Sequence, residues 1–363
     1  MAEISGYACL MDDPAYRASL QRLYDAFPHW DALAGKTLLI SGASGMIGSF
    51  LIDALMLRNE ALPAASRIRI IGLARNERTA RERFAVWKEY SELSFFSHDI
   101  QNPLPDIPEK VDYILHAAST THPRDYAAHP IDTIMTNLLG TKNLLEFAAS
   151  QANSRFLLLS SVEIYGENRG DTERFHEAYC GYLDCNTLRA GYPEGKRVSE
   201  ALCQAYIEEK GVDAVILRLP RCYGPTMRMS DTKSISQFIK NSASGTDIVL
   251  KSEGKQLYSY AHVCDAVQGL LWVLLCGNKG EAYNLGDSAS DITLRDLAGL
   301  CATCAGTRVI YSLPEQAEQK GYSTASKALM DGNKLKAMGW QPQYGIADGI
   351  PETISIIKAQ QRS

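Results

Sequence analysis

The sequence lacks the features by which membrane-spanning and nucleic-acid-binding proteins are recognised. No apolar run approaches the ~18 residues that a membrane span requires. No stripe of lysine or arginine offsets the formal net charge of −5, so nucleic acid is a poor partner. The N-terminus shows no charged segment followed by an apolar one, so we expect no secretory signal. These absences predict a cytoplasmic protein that binds neither membranes nor nucleic acids.

Disulfide and metal patterns are missing as well. The nine cysteines are scattered without the spacing of a disulfide framework, and free thiols in such number fit a reducing compartment. Cys301 and Cys304 form one CxxC, which is either a redox or metal half-site or two small apolar residues on a buried helix face. We favour the second interpretation and predict no metal, because no further Cys or His pair has ligand spacing.

The chain does contain a regular alternation of short apolar strands and amphipathic helices. Its 363 residues are 45% hydrophobic, which is enough apolar material for a large core. The alternation predicts a doubly wound α/β (Rossmann) fold, a parallel sheet covered by helices on both faces, with ligand beyond the carboxyl ends of the strands. Strands are predicted at 37–41, 67–72, 93–97, 113–117, 155–160 and 214–219, and helices at 47–57, 78–90, 130–149 and 193–209.

Three regions divide the chain. Residues 1–34 form a polar and aromatic extension, which we expect to make one or two short helices packed on the main fold. Residues 35–220 are predicted to be the dinucleotide-binding domain. The alternation then loosens, so residues 221–363 are predicted to form mainly a smaller substrate-binding lobe, interleaved with the first domain through the excursion 167–188. Short elements of this lobe are predicted at 247–250, 280–285 and 292–304.

A glycine-rich loop follows the first predicted strand. Gly42, Gly45 and Gly48 form a GxxGxxG pattern between an apolar strand and a helix. Glycines there let backbone N–H groups approach a dinucleotide pyrophosphate at the positive end of the helix. Such glycines also mark ordinary tight turns. The position between strand and helix favours nucleotide binding.

Tyr192 and Lys196 stand four residues apart in a predicted helix and therefore share one helical face. An ammonium beside a phenol lowers the pKa of the phenol, which would let Tyr192 act as acid and base near neutral pH. A YxxxK pair also arises by chance on solvated helices. Here Ser160 and Ser161 lie upstream at a strand end, where a hydroxyl can bond the reacting oxygen. The combination predicts hydride chemistry on an alcohol or ketone.

Taken in order, these motifs resemble those of the extended short-chain dehydrogenases/reductases, in the group of nucleotide-sugar epimerases, dehydratases and decarboxylases. The resemblance runs from about Lys36 to Ile357. Besides the glycine loop and the Tyr192–Lys196 pair, it rests on His98-Asp99, His116-Ala117-Ala118, Asn137, Ser161-x-x-x-Tyr165-Gly166, Tyr223-Gly224-Pro225 and Tyr283-Asn284-Leu285-Gly286.

The resemblance implies roles for individual residues. Ser161, Tyr192 and Lys196 would be catalytic, together with Glu163. Asp99 would contact the adenine of the cofactor, and Lys196 would also hold the nicotinamide ribose. The cofactor, NAD or NADP, would be bound by Gly42, Ser44, Gly45, Met46, Ile47, Gly48, Arg75, Asp99, Ile100, His116, Ala117, Ala118, Asn137, Ser160, Tyr192, Lys196 and Pro220. The substrate, a nucleotide-activated sugar, would be bound by Thr120, Glu163, Arg189, Arg221 and Tyr258. The resemblance also implies a homodimer, formed by helices 130–149 and 193–209.

Within that group, residues 189–200 and 223–229 resemble the UDP-glucuronate decarboxylases most. In that family the cofactor oxidises C4 of the sugar, the resulting β-keto acid loses CO₂, and the same cofactor returns the hydride. This chain has Arg221 in place of an Asn, Tyr258 in place of an Arg, and Val162 in place of a Ser or of the Asp of 4,6-dehydratases. Because tyrosine cannot replace the bidentate anion clamp of arginine, we predict that UDP-glucuronate is decarboxylated poorly.

Three functions stay open. The first is a recycling enzyme that oxidises C4 and then epimerises or decarboxylates the sugar, which Glu163 supports. The second is a net reductase that uses NADPH on a nucleotide-linked ketose, giving an alditol or deoxysugar. Arg75, Arg221 and Tyr258 support it. Arg75 follows the second strand, where NAD sites carry an acid, and either holds a 2′-phosphate or simply faces solvent. The third is a non-catalytic nucleotide-binding scaffold, against which the intact Ser161, Tyr192 and Lys196 argue.

Overall fold

The centre of the structure is a seven-stranded parallel sheet. A computed structural model describes residues 10–119, 128–312 and 325–362. The strand order is β10-β6-β5-β4-β1-β2-β3, and all neighbours run parallel. This arrangement confirms the predicted doubly wound α/β fold. The strands are β1 Thr37–Ser41, β2 Arg69–Ala74, β3 Leu93–Ser97, β4 Tyr113–His116, β5 Arg155–Ser161, β6 Asp213–Leu219 and β10 Ala282–Asn284.

Helices cover both faces of this sheet, because successive side chains of a strand point to opposite sides. Leu38 and Ile40 of β1 enter one core, and Leu39 between them enters the other. The helices are α1 Pro14–Ala26, α2 Met46–Glu60, α3 Glu77–Arg83, α4 Pro130–Ser150, α5 Gly191–Lys210, α6 Ser234–Ala243, α7 Val263–Cys276, α8 Leu294–Ala305, α9 Asn333–Ala337 and α10 Ile346–Gln360. The helix predicted at 78–90 ends at Arg83 and continues as a 3₁₀ turn, Ala85–Trp87.

A smaller lobe stands beyond the carboxyl ends of the strands. It holds a four-stranded sheet, in which β7 (Arg221–Tyr223), β11 (Asp291–Thr293) and β13 (Lys327–Ala328) each pair with β9 (Leu257–His262). The strands β8 (Ile248–Leu250) and β12 (Val309–Tyr311) pair separately. Together with α6, α8 and α10 these strands enclose a core of their own. The excursion after β5 reaches this lobe through a bridge between Phe175 and Met330.

One predicted element lies elsewhere than expected. The assignment of residues 280–285 to the smaller lobe is wrong. Ala282–Asn284 pair in parallel with Ile216–Arg218 and so form the edge strand β10 of the main sheet. The chain returns to the main sheet through α7, which follows β9 of the lobe and is buried in the main core.

The described part of the N-terminal extension, residues 10–34, packs on the main fold. Helix α1 begins after Asp13, whose carboxylate caps it by accepting from the N–H groups of Ala15 and Tyr16. Its apolar face joins the core that α2 and α7 share. Within the described residues, no helix combines the length and the apolar character that crossing a membrane would take.

Candidate active site

A cavity of about 1200 Å³ opens at the carboxyl ends of the central strands, facing the smaller lobe. The strand order reverses between β1 and β4, which is where open α/β sheets bind ligands. Most of the predicted site residues line this cavity. They are Gly42, Ser44, Gly45, Met46, Ile47, Gly48, Arg75, Asp99, Ile100, Ala117, Ala118, Ser160, Ser161, Glu163, Arg189, Tyr192, Lys196, Pro220, Arg221 and Tyr258.

The loop after β1 has room only for glycine at two points. Gly42 has a φ of +71°, and a Cβ there would lie 2.8 Å from the backbone of Ala117 and Ala118. A Cβ on Gly48 would lie 2.5 Å from the carbonyl oxygen of Gly42. Backbone segments therefore pack directly on one another at both points, and the loop, which lines the cavity, leads into the N-terminus of α2 at Met46. This geometry fits the diphosphate of a dinucleotide.

The residues that follow the carboxyl ends of β2 and β3 line another part of the cavity. Arg75 and Asp99 line the cavity there. The Asp99 carboxylate accepts a hydrogen bond from the Gln101 N–H at 3.0 Å, which fixes the turn that carries it. Arg75 is exposed, with its side chain at the edge of the cavity.

Two predicted cofactor residues, His116 and Asn137, lie behind the cavity wall rather than on it. The ring of His116 is hydrogen-bonded to the hydroxyls of Ser41 at 3.0 Å and Thr141 at 3.1 Å. Burial, together with the charge of Lys196, holds the pKa of His116 well below its usual value. The structure therefore does not place these two side chains where the predicted cofactor contact requires them.

The side chain of Asn137 is also buried and makes its hydrogen bonds within the protein. Its Oδ1 accepts from the Ser119 hydroxyl at 3.0 Å, and its Nδ2 donates to the carbonyl oxygen of Thr133 at 2.8 Å. The first contact connects α4 with the segment after β4, and the second lies within α4. Thr120, predicted to bind substrate, lies outside the described residues.

The predicted catalytic residues meet at the end of β5. Ser161 ends that strand, and α5 places Tyr192 and Lys196 beside it. Nζ of Lys196 donates to the carbonyl oxygen of Leu159 at 2.8 Å. The hydroxyl of Ser161 is hydrogen-bonded to the Tyr192 phenol and accepts from the Glu163 N–H at 3.2 Å. Ser160 brings a second hydroxyl to the cavity, buried and without a hydrogen-bond partner among the described residues.

Burial dominates the protonation of this pair. It raises the pKa of Tyr192 to about 12, against a smaller lowering by the hydrogen bond from Ser161. It also lowers the pKa of Lys196 to about 8. The expected lowering of the Tyr192 pKa by the neighbouring ammonium is therefore wrong for the protein alone. The four-residue spacing correctly predicts that Tyr192 and Lys196 lie on one face of α5. It does not predict that both side chains are buried.

Charged side chains gather at the lobe side of the catalytic residues. Arg189 donates to the Glu163 carboxylate at 2.8 Å, and Arg221 lies 3.6 Å from its other oxygen. The guanidinium of Arg221 lies over the ring of Tyr258, with its carbon 3.6 Å from the ring centroid. Glu163 thus stands between two arginines that the sequence separates by 32 positions (189 to 221).

Further polar residues of the lobe were not predicted from the sequence. They line the cavity from loops and short elements, which carry no motif apart from the stretch 223–229 that contains Arg228. A concentration of basic residues in this part of an acidic chain is the one signal that could have found them. They are Arg228, Lys233, Gln237, Asn241, Lys251, Ser252 and Gln256.

Arg228 also reaches the glycine loop. Its Nη2 lies 3.2 Å from the Ser44 hydroxyl and 3.3 Å from the Ser44 carbonyl oxygen. The Thr226 hydroxyl donates to the carbonyl oxygen of Met46 at 2.8 Å. The segment after β7 therefore fastens the lobe to the loop.

The comparison with protein families decides the assignment. The model of the NAD dependent epimerase/dehydratase family matches residues 38–286, more than half of the chain. The chain belongs to this family. Membership confirms the resemblance that the ordered motifs indicated.

Characterised proteins are similar over most of the chain. UDP-glucuronic acid decarboxylase 1 of Xenopus tropicalis is 30% identical over 327 residues, which cover 90% of this chain and 73% of the relative. UDP-glucuronic acid decarboxylase 3 of Arabidopsis thaliana is 31% identical over 321 residues, 86% of each chain. Among solved structures, a dTDP-glucose 4,6-dehydratase of Streptomyces venezuelae with NAD bound has a TM-score of 0.73 at 25% identity, covering 88% of this chain and 96% of its own. The UDP-glucuronic acid 4-epimerase of Bacillus cereus, in complex with UDP-glucuronic acid and NAD, shares the fold, with a TM-score of 0.75 at 20% identity, covering 89% of this chain and 99% of its own.

Among the residues that the structure describes, no group of three or more His, Cys, Asp or Glu side chains is arranged to hold a metal. Cys301 is buried in the core of the lobe, where burial raises its pKa to about 12, whereas Cys304 of the same helix is exposed. The two thiols occupy different surroundings on one helix.

Proposed function

We propose that this protein binds NAD and a nucleotide-activated sugar, oxidises the sugar at C4, and returns the hydride after epimerisation or decarboxylation. The observation that carries the proposal is the meeting of Ser161, Tyr192 and Lys196 in the cavity that the glycine loop also lines. The relatives support the substrate class, because they are named as decarboxylases, a dehydratase and an epimerase of sugar nucleotides.

Each residue has a physical role in this scheme. The glycine loop and the N-terminus of α2 would hold the cofactor's diphosphate. Tyr192, as its phenolate, would take the proton of the sugar hydroxyl while the hydride leaves to the cofactor, and Ser161, hydrogen-bonded to Tyr192, orients the phenol. Lys196, buried beside them, would favour the phenolate through its positive charge once cofactor and substrate are bound, whereas burial keeps the pKa of Tyr192 raised in the protein alone. Bound NAD would supply the hydride acceptor.

Removal from water strengthens these electrostatic effects. Tyr192 is 7% exposed and Lys196 is 2% exposed. At such burial the attraction between phenolate and ammonium is much larger than in water. The high pKa of Tyr192 in the protein alone means that its proton is lost only when favourable charges are assembled around it.

A net reductase that uses NADPH is the second candidate. Arg75 supports it, because it lines the cavity directly after β2 and no acidic residue stands there. Absorption and mass spectrometry of the purified protein distinguish the two. A tightly held oxidised cofactor that is not consumed supports recycling. Stoichiometric loss of added NADPH with a nucleotide-linked ketose would overturn recycling in favour of the reductase.

We also propose that the protein is a cytoplasmic homodimer formed through α4 and α5. Apolar side chains are exposed on these helices, among them Ile131, Ile134 and Val198. Leu145 of α4 cannot contribute to such an interface, because it is fully buried inside the subunit and packs in the core beside the main sheet. The family resemblance supplies the four-helix arrangement, and the exposed side chains support it.

A further inference from the structure

The stack between Arg221 and Tyr258 bears on substrate recognition, in a role that rests on the proposed function. Both side chains line the cavity, and the guanidinium carbon lies 3.6 Å from the ring centroid. The residues come from paired parallel strands, β7 and β9, in which Arg221 is opposite Tyr260. Stacking on a ring face fixes the plane of a guanidinium and leaves its edge N–H groups for other partners.

Tyr258 turns its hydroxyl away from this contact. The hydroxyl donates to the carbonyl oxygen of Ala325 at 2.7 Å, and the side chain is almost fully buried. The face of the ring is therefore the surface that it offers to Arg221. A tyrosine held in this way orients its neighbour rather than a ligand.

Part of the Arg221 guanidinium makes no hydrogen bond to the described residues. Its Nη2 lies 3.6 Å from Glu163, which is beyond hydrogen-bond distance, and its Nη1 is buried without a hydrogen-bond partner among the described residues. Glu163 has a closer partner in Arg189 at 2.8 Å. Arg221 can therefore turn to a ligand without leaving the Glu163 carboxylate bare. Two guanidiniums around one carboxylate also leave the cluster with one net positive charge.

We propose that Arg221 binds an oxyanion of the substrate and that Tyr258 is its positioning residue. The oxyanion is either the diphosphate of the nucleotide or a carboxylate on the sugar, since both present paired oxygens that match the guanidinium fork. Lys251 also lines the cavity, and Lys233 is paired there with Asp231 at 3.3 Å. Glu163, which accepts from Arg189, lies 3.6 Å from Arg221.

The test is calorimetric titration of the NAD-loaded protein. UDP, CDP, GDP and dTDP are compared first, and the nucleotide bound most tightly is then titrated as its glucose and glucuronate conjugates. Arg221→Gln is expected to weaken binding about ten- to a hundredfold, the loss typical of a charged hydrogen bond. Weakening of all three ligands identifies the diphosphate, and weakening of the glucuronate conjugate alone identifies the carboxylate. Unchanged affinities in Arg221→Gln, or no binding of any nucleotide to the wild type, would overturn the proposal.

Tyr258 is tested by a pair of variants. Tyr258→Leu removes the ring and should approach the affinity of Arg221→Gln, whereas Tyr258→Phe keeps the ring and should retain more of the affinity. The salt dependence of binding should become shallower in Arg221→Gln and Tyr258→Leu, which a purely structural defect would not cause. NAD affinity serves as the folding control. Equal losses in Phe and Leu variants would remove Tyr258 from the proposal.

This inference and the proposed function can fail separately. A wild-type protein that binds nucleotides through Arg221 but converts no nucleotide sugar would overturn the proposed function and leave the oxyanion site standing. Turnover of a nucleotide sugar with unchanged KM in Arg221→Gln would do the reverse.

Discussion

The hydroxyl of Tyr16 donates a hydrogen bond to Oδ2 of Asp53 at 2.6 Å and so joins the N-terminal extension to the helix that follows the glycine loop. Arg83 and Trp87 donate to the same carboxylate at 2.7 Å and 2.9 Å. Asp53 is fully buried. Its carboxylate is stabilised there by three donors from separate parts of the chain. Through this cluster the N-terminal extension helps to hold α2, the helix that begins directly after the glycine loop.

Replacing Asp53 should therefore destabilise the protein strongly. Asp53→Asn would leave the Arg83 charge buried without its carboxylate, which typically costs about 3–5 kcal/mol. Urea denaturation measures the free energy of unfolding. Asp31→Asn is the control, because Asp31 is 94% exposed in its pair with Arg58, and exposed pairs contribute about 1 kcal/mol or less. Equal losses in the two variants would refute the role given to the buried cluster.

Cofactor binding should depend on the charge of Lys196. Burial lowers the pKa of this residue from 10.5 to about 8, so it is an ammonium below that pH and a neutral amine above it. If the charge holds the nicotinamide ribose, NAD affinity falls as the pH rises through about 8. Calorimetry across this range measures the effect, and Lys196→Met should bind more weakly without that pH dependence. A flat wild-type profile, or the same fall in Lys196→Met, would contradict the assignment.

The homodimer can be tested on its exposed apolar side chains. We expect the mass of a dimer by light scattering at micromolar concentration. Ile134→Glu combined with Val198→Glu should give a monomer, because two charges would enter the apolar face shared by α4 and α5. Ile310→Glu on β12 is the matched control, since Ile310 is equally exposed but lies in the smaller lobe. A monomeric wild-type protein rules out the interface.

UDP-glucuronate should be a poor substrate for decarboxylation. Arg221 enters the cavity from β7, and Tyr258 stands on β9 where the decarboxylase pattern has arginine. A carboxylate bound by Arg221 would therefore be held from a different strand than in the decarboxylase pattern. The assay follows pentose formation and CO₂ release. Turnover of ~1 per second or faster, ordinary for an enzyme on its own substrate, would show that the substitutions leave decarboxylation intact.

Much of the fold could be predicted because its signals are local. Each main-sheet strand up to β6 is an apolar run between turns, and the glycine loop and the Tyr192–Lys196 pair depend on spacings of a few residues. Strand β10 could not be placed in the same way. It has three residues, and its position is set only by pairing with β6, more than 60 positions away (216 to 282).

The electrostatics of the site were harder to predict for the same reason. The spacing of Tyr192 and Lys196 places them together, but their pKa values depend on burial by many distant segments. The inward turn of His116 depends on hydroxyls from β1 and α4. The convergence of Arg189 and Arg221 on Glu163 depends on the lobe folding back over β5.

The most direct test of the account compares the wild type with Tyr192→Phe on a panel of UDP-, CDP-, GDP- and dTDP-sugars, with chromatography and mass spectrometry of the products. Tyr206→Phe controls for changes in the same helix, because its hydroxyl donates to Glu146, which does not line the cavity. We predict that the wild type and Tyr206→Phe convert a member of the panel without net consumption of NAD, and that Tyr192→Phe, still folded, is at least ~100-fold slower, the typical contribution of a general acid/base. Near-normal turnover by a well-folded Tyr192→Phe protein, or no conversion of any panel member by the wild type, would contradict the account.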